Sequence, residues 1–207
     1  MIIVSLKSEA AGELNRIELS DGSLFSFRIC YLPPELTANP DIGEGKEINT
    51  AEEESFRFAA ECLRAEKAAL RLIAMAEQCS FGLTRKLERR KFSPACISAI
   101  ISRLCELKLI DDRRFALLWI ESRLRLVRSP RRLLSSLCGR GIDRDDAETA
   151  LKAALDEETE LALLTRFAKK RLRKAGRKGE EGERSLKYLL KSEGFSPQAI
   201  KQFLDGE

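Results

Sequence analysis

Histidine is absent from all 207 residues of the chain. The commonest general base is therefore missing, and neither a Ser-His-Asp nor a Cys-His nucleophile can be assembled. Zinc chemistry lacks its usual ligands as well, because the six cysteines, Cys30, Cys62, Cys79, Cys96, Cys105 and Cys138, are scattered without a Cys-x-x-Cys pair. Such residues are expected as reduced, small core hydrophobes. Apolar runs near the ~20 residues needed to cross a bilayer are also missing. The opening MIIVSLKSEAAGEL has neither the basic region nor the long apolar core of a signal peptide. A cytoplasmic protein with no membrane partner is expected. Phosphate-loop chemistry is excluded too: Gly45-Lys46 is followed by Glu47 and lacks the upstream glycine. These absences point to a binding protein without a cofactor, not to an enzyme.

Aromatic residues are scarce, 6%, beside 43% hydrophobic and 34% charged residues. That balance, rich in Leu, Ala, Arg and Glu, suits a mainly α protein better than a β-sandwich. The net charge of +4 hides an asymmetry: residues 1–63 carry 5 basic and 12 acidic side chains, and 64–207 carry the remaining 32 and 21. The two parts differ in kind.

In the acidic part, Ile17, Leu19, Leu24, Phe25, Phe27 and Ile29 alternate around Asp21-Gly22, a pattern that predicts a small β-hairpin joined by a strand over Ile2 to Leu6. Pro33-Pro34, Asn39-Pro40, Gly43 and Gly45 then make an acidic connector that should sustain no helix. Thr50 with Glu53 three residues later reads as a capping box, and Phe56, Ala59, Ala60, Leu63, Leu70, Ile73 and Ala74 continue at helical spacing to about Gln78.

Beyond this helix the chain repeats itself. Leu87 before Phe92 is matched by Leu137 before Ile142 and by Leu190 before Phe195. Lys91-Phe92-Ser93-Pro94-x-x-Ile97 answers Gly194-Phe195-Ser196-Pro197-x-x-Ile200, with Gly141-Ile142-Asp143-Arg144-x-x-Ala147 between them. Ser93, Asp143 and Ser196 are natural N-caps, and Pro94 and Pro197 occupy first helical positions, where a missing N–H costs nothing. The expected fold is mainly α: three tandem three-helix repeats in a curved solenoid, preceded by the β-hairpin module. The expected divisions are 1–49 for hairpin and connector, 50–108 for lead helix and first repeat, 109–156 for the second and 157–207 for the third.

Leu109-Ile110-Asp111-Asp112-Arg113-Arg114-Phe115-Ala116 resembles the RecX family, whose middle repeat opens on a hydrophobic-Asp-Asp-x-Arg-Phe-Ala signature. Ser122-Arg123, Pro130-x-Arg132-Leu133 and Leu137-x-x-x-Gly141-Ile142 follow the family order, and Leu83-x-x-Lys86-Leu87 fits its first repeat. Ala76, Cys79 and Gly82 depart from it. The resemblance covers about residues 64 to 205. It implies a regulator, chiefly an inhibitor, that lodges in the groove of the RecA filament on single-stranded DNA and restrains ATP hydrolysis and strand exchange in DNA repair and recombination. A monomer that can also hold duplex DNA non-specifically is expected.

The residues themselves indicate where binding would occur. Between Arg113 and Arg140 stand eight arginines against the single acid Glu121. On a helix opening at Asp112, Arg114, Arg125 and Arg128 would share one face, while Phe115, Leu118, Trp119, Ser122 and Leu126 would pack on another. With Arg123, Arg131 and Arg132 these cations suit either an acidic RecA surface or a DNA backbone. A second run, Lys169, Lys170, Arg173, Lys174, Arg177 and Lys178, has no acid among residues 166 to 178 and would favour polyanions. Arg85, Lys86 and Arg89 form a third patch, partly offset by Glu88. The plain alternative for each set is a solvated helix face. Asp111-Asp112 reads as an N-cap rather than a metal site, and Trp119 as core rather than a base-stacking platform. The helix-turn-helix look of the repeats leaves a DNA-binding transcription factor as the alternative function, although few Asn, Gln or Ser flank the arginines for base readout.

Overall fold

The computed structural model describes residues 1–9, 14–37, 42–175 and 180–205, with side chains throughout except at 9, 172–175 and 180–183. It is mostly helical behind a small N-terminal sheet.

The sheet is antiparallel in the order β1 (Ile3–Glu9), β2 (Leu14–Leu19), β3 (Leu24–Arg28). Along β2 the pleat sends Asn15, Ile17 and Leu19 inward and Arg16 and Glu18 outward. The expected turn is present. Gly22 has φ +84, and the Asp21 carboxylate accepts from both the N–H and the hydroxyl of Ser23, at 2.9 Å each, which holds its pKa below the usual range. Instead of continuing as strand, Ile29–Tyr31 forms a 3-10 turn.

Two local expectations need correction. The connector does sustain one helical turn, α1 (Pro34–Thr37), because Pro34 needs no N–H partner and the N–H groups of Leu36 and Thr37 both reach the Pro33 carbonyl. The capping box sits one residue earlier than expected, on Asn49 and Glu52, at the start of α2 (Thr50–Met75). Asn49 Oδ1 accepts the Glu52 N–H at 2.9 Å and the Glu52 carboxylate accepts the Asn49 N–H at 2.8 Å, with Lys46 Nζ 3.1 Å away. These contacts lower the Glu52 pKa, the Asn49 N–H first and then Lys46. Glu53 is instead buried beside Arg57.

Met1–Ile110 and Asp111–Glu207 are two compact units. In the first, the sheet shares one core with α2, α3 (Ser80–Glu88) and α4 (Pro94–Glu106): the Phe27 and Phe56 rings lie 5.4 Å apart, and Ile17, Leu87, Ile100 and Leu104 belong to the same cluster. Cys62, Cys79 and Cys96 are buried as expected. Cys30 and Cys138 are exposed, which corrects the core reading for those two.

The second unit holds two further helix trios, α5 (Asp112–Arg123), α6 (Pro130–Cys138), α7 (Arg144–Ala154), then α8 (Glu157–Ala175), α9 (Glu180–Ser192), α10 (Pro197–Asp205). Leu163, Phe167, Leu190, Phe195, Ile200 and Phe203 form the core of the last trio.

The repeat is physical as well as textual. Leu87, Leu137 and Leu190 are each fully buried, and each carbonyl accepts the N–H of the residue five positions on, Phe92, Ile142 or Phe195. The left-handed residues that permit this turn are Lys91 (φ 63), Gly141 (φ 78) and Gly194 (φ 87). Ser93 precedes α4, yet its side chain does not cap it. Its N–H and hydroxyl both donate to Glu61, at 2.6 and 2.9 Å, and Ser196 makes the same pair with Glu160, both at 2.7 Å. The first and third trios are thus buckled by the same pair, first helix to third, and Ser196 in addition caps α10 as expected, accepting the Ala199 N–H at 3.1 Å. Asp143 caps α7 locally through the Asp145 N–H.

Candidate functional site

Asp111 caps α5, its side chain accepting the N–H groups of Arg113 and Arg114 at 3.0 Å each. An acidic cap suits the positive end of a helix. Ala116, Trp119 and Ile120 are the buried face. Leu118 and Leu126 are 46% and 45% exposed, and Ser122 is exposed, so the packing face expected from sequence is narrower than stated. Trp119 is core, 9% exposed. The guanidiniums of Arg123 and Arg140 lie over its ring at 5.5 and 5.0 Å from the centroid, a stacking arrangement that favours arginine over lysine.

The helix stops at Arg123, so Arg114, Arg125 and Arg128 do not share a helical face, contrary to the sequence reading. Leu124 is the C-cap, still with helical angles, and packs with Val127 against the core of the last trio. Further on, Pro130 starts α6 and holds Ser129 extended, ψ 155. Residues 124–129 form a linking segment instead.

That segment is fastened at both ends. Arg166 Nη2 donates to the Leu124 carbonyl at 3.3 Å. At the other end Ser129, fully buried, donates its hydroxyl to the Glu193 carboxylate. The Arg131 N–H donates to the Glu193 carbonyl at 3.0 Å, and Arg131 Nη1 to the Ser192 carbonyl at 3.4 Å. Gly194 lies so close that a Cβ there would meet Arg131 N at 3.3 Å. Between these anchors Arg125 and Arg128 are exposed, as is Arg132 at the start of α6, and none of the three makes an ion pair among the described residues. Arg113 is spent within the trio, 2.7 Å from Asp146. Arg114 is exposed in the first turn of α5.

In α8, Arg166 and Arg171 turn back onto the protein. Arg171 lies 3.8 Å from Glu193 and 5.3 Å over the Phe167 ring. Lys169 and Lys170 are exposed. Arg173 and Lys174 belong to α8 by backbone, with side chains outside the described set, and Arg177 and Lys178 lie outside the described residues altogether.

In the first unit, Arg85, Lys86 and Arg89 are exposed on and just after α3. Lys86 Nζ donates to Gln78 Oε1 at 2.6 Å, and Arg85 sits 3.9 Å from Glu88 and 5.8 Å over the Phe81 ring. Arg89 makes no ion pair among the described residues.

Residues 111–151, which carry the capped α5 and the arginines between Arg113 and Arg140, match the family model for the second three-helix domain of RecX. A regulatory protein RecX of Treponema pallidum (strain Nichols) is 33% identical over 148 residues, 71% of this chain and 87% of its own length. The chain belongs to the RecX family. The regulatory protein RecX of Caldanaerobacter subterraneus subsp. tengcongensis is 24% identical over 164 residues, 79% of this chain and 81% of its own. A crystal structure of regulatory protein RecX superposes with a TM-score of 0.73 at 19% identity, covering 99% of this chain and 98% of that one. RecX from Lactobacillus salivarius gives 0.60 at 22% identity, over 70% and 96%. These two likenesses speak for the fold.

Within this RecX chain the sequence reading found the arginine-rich stretch but missed what fixes it. Ser129, Arg166 and Glu193 have no motif of their own. The signal nearest to hand was Glu193 immediately before the left-handed Gly194, a position whose carbonyl and carboxylate both reach the segment.

Proposed function

We propose that this RecX protein regulates the RecA recombinase by binding its filament on single-stranded DNA, lodging in the groove and restraining ATP hydrolysis and strand exchange. The observation that supports it is the doubly anchored segment 124–131, which holds Arg125 and Arg128 in water without carboxylate partners among the described residues. A backbone already fixed in position loses little freedom on binding, so more of the interaction energy of the arginines it carries appears as affinity. Their planar forks suit carboxylates of a protein groove and phosphates of its DNA alike. Lys169 and Lys170 on α8 extend the cationic surface of the same unit. In this reading Arg114, Arg123, Arg131 and Arg132 border the contact, Arg173, Lys174, Arg177 and Lys178 add charge-led affinity, and Arg85, Lys86 and Arg89 form a separate contact of the first unit.

The test is co-sedimentation with RecA filaments assembled on single-stranded DNA. The parent protein should pellet with the filament in a saturable, salt-sensitive manner, and Arg125→Glu/Arg128→Glu should require at least tenfold more protein. Equal retention of the two would refute the assignment of the segment.

A further inference from the structure

The outward stripe of α9 has no role in the reading above. Leu186 and Leu190 turn inward, 7% and 0% exposed. At 100° per residue, Arg184, Lys187, Tyr188 and Lys191 fall within about 100° of one another on the opposite side, and all four are exposed. Tyr188 is 77% exposed, so its ring gains almost nothing from the fold. Phe81, Trp119 and Phe167 each carry a guanidinium over the ring. Among the described residues, no cation covers Tyr188.

Beside this stripe, α10 supplies a second wall. Pro197, Ile200 and Leu204 floor a groove of about 590 Å³ that is rimmed by Lys187, Lys191 and Lys201, with Asp205 at one end. None of Arg184, Lys187, Lys191 and Lys201 makes an ion pair among the described residues.

An open aromatic face flanked by cations matches a ligand that carries negative charge and flat rings in alternation. Single-stranded nucleic acid is that ligand: each nucleotide offers a phosphate and an unpaired base, and stacking on a side-chain ring is indifferent to sequence. Duplex DNA hides its base faces in the stack, and a carboxylate-bearing peptide would leave the ring unused. We propose that the α9–α10 stripe is a binding site for single-stranded nucleic acid, in which a base stacks on Tyr188 while Arg184, Lys187, Lys191 and Lys201 hold the adjoining phosphates. This deepens the functional reading by giving the single strand a contact of its own, apart from segment 124–131.

Fluorescence anisotropy with a labelled oligo-dT strand tests it, using the full chain and no RecA, so that this site and the RecA reading fail separately. Tyr188→Ala should weaken binding about tenfold, within the range of one lost stacked base, with the salt slope unchanged. Tyr188→Phe, which keeps the ring, should bind within about twofold of the parent. Lys187→Glu/Lys191→Glu should lower the log–log salt slope by about 1.4, the share of two single-strand phosphates. Parental binding by Tyr188→Ala, an equal loss for duplex and single strand in that variant, or failure of the parent to bind the strand at low salt would each overturn the proposal.

Discussion

Ser129, fully buried at the start of α6, donates its hydroxyl to the carboxylate of Glu193, 64 residues further on in the turn between α9 and α10. The pair joins the arginine segment of the middle trio to the last trio, and the backbone does the same beside it through the Arg131 N–H and the Glu193 carbonyl. A buried hydroxyl that loses its acceptor incurs the full cost of desolvation. Glu193→Ala should therefore destabilise the protein by about 1–3 kcal/mol, whereas Glu193→Gln, which still offers an oxygen to Ser129, should lose less. Urea unfolding of the two variants checks the order. Equal losses would mean that the Arg171 contact, at 3.8 Å, matters more than the hydroxyl, since both variants remove the charge.

The equivalent turns of the first and third trios carry opposite choices of residue. Lys91 occupies a left-handed position, φ 63, that Gly194 fills with φ 87. A side chain there costs about 1–2 kcal/mol, partly offset by the greater chain entropy that glycine loses on folding. Lys91→Gly should stabilise the protein by about 0.5–1 kcal/mol. Gly194→Ala should destabilise it more than the backbone penalty alone, since the new methyl would press on Arg131 N at 3.3 Å. Thermal melts of both variants against the parent decide whether the turns are equivalent in energy as well as in form.

The capping box of α2 makes a pH-dependent contribution. The Glu52 carboxyl is held below its ordinary value of 4.5 by the Asn49 N–H and by Lys46. A depressed folded-state pKa stabilises the native protein above the ordinary value, and that stability is lost as pH falls through the lowered one. At pH 7 Glu52→Gln should cost about 0.5 kcal/mol, and the difference from the parent should close below pH 4.5. Denaturation curves at neutral and acid pH give the comparison.

What could be read from the chain, and what could not, divides along local and tertiary lines. Leu87, Leu137 and Leu190 repeat because one backbone turn recurs, and such a turn leaves its mark within ten residues. The hairpin at Asp21-Gly22 is legible for the same reason. Thr50-x-x-Glu53 and Asn49-x-x-Glu52 satisfy the same local rule, and the choice falls to Asn49 because Lys46 meets Glu52 while Glu53 is buried. The serine at position 93 has the chemistry of a cap, yet Glu61, 32 residues away, takes its hydroxyl.

The candidate site shows the same division. Composition located the arginines, but helical periodicity carried α5 past its true end at Arg123, because Leu124 and Val127 answer to a core built from residues 163 to 203. Nor could residue type separate the arginines that are spent, Arg113 on Asp146 and Arg166 on the Leu124 carbonyl, from Arg125 and Arg128.

The central claim is that Arg125 and Arg128 carry the proposed action on RecA. The measurement is the rate of ATP hydrolysis by RecA on single-stranded DNA, titrated with the parent protein and with Arg125→Glu/Arg128→Glu at two salt concentrations. Inhibition by the parent, weaker inhibition at the higher salt, and a shift of at least tenfold to higher concentration in the variant are expected. An unchanged rate at saturating parent protein, or equal inhibition by parent and variant, would contradict it.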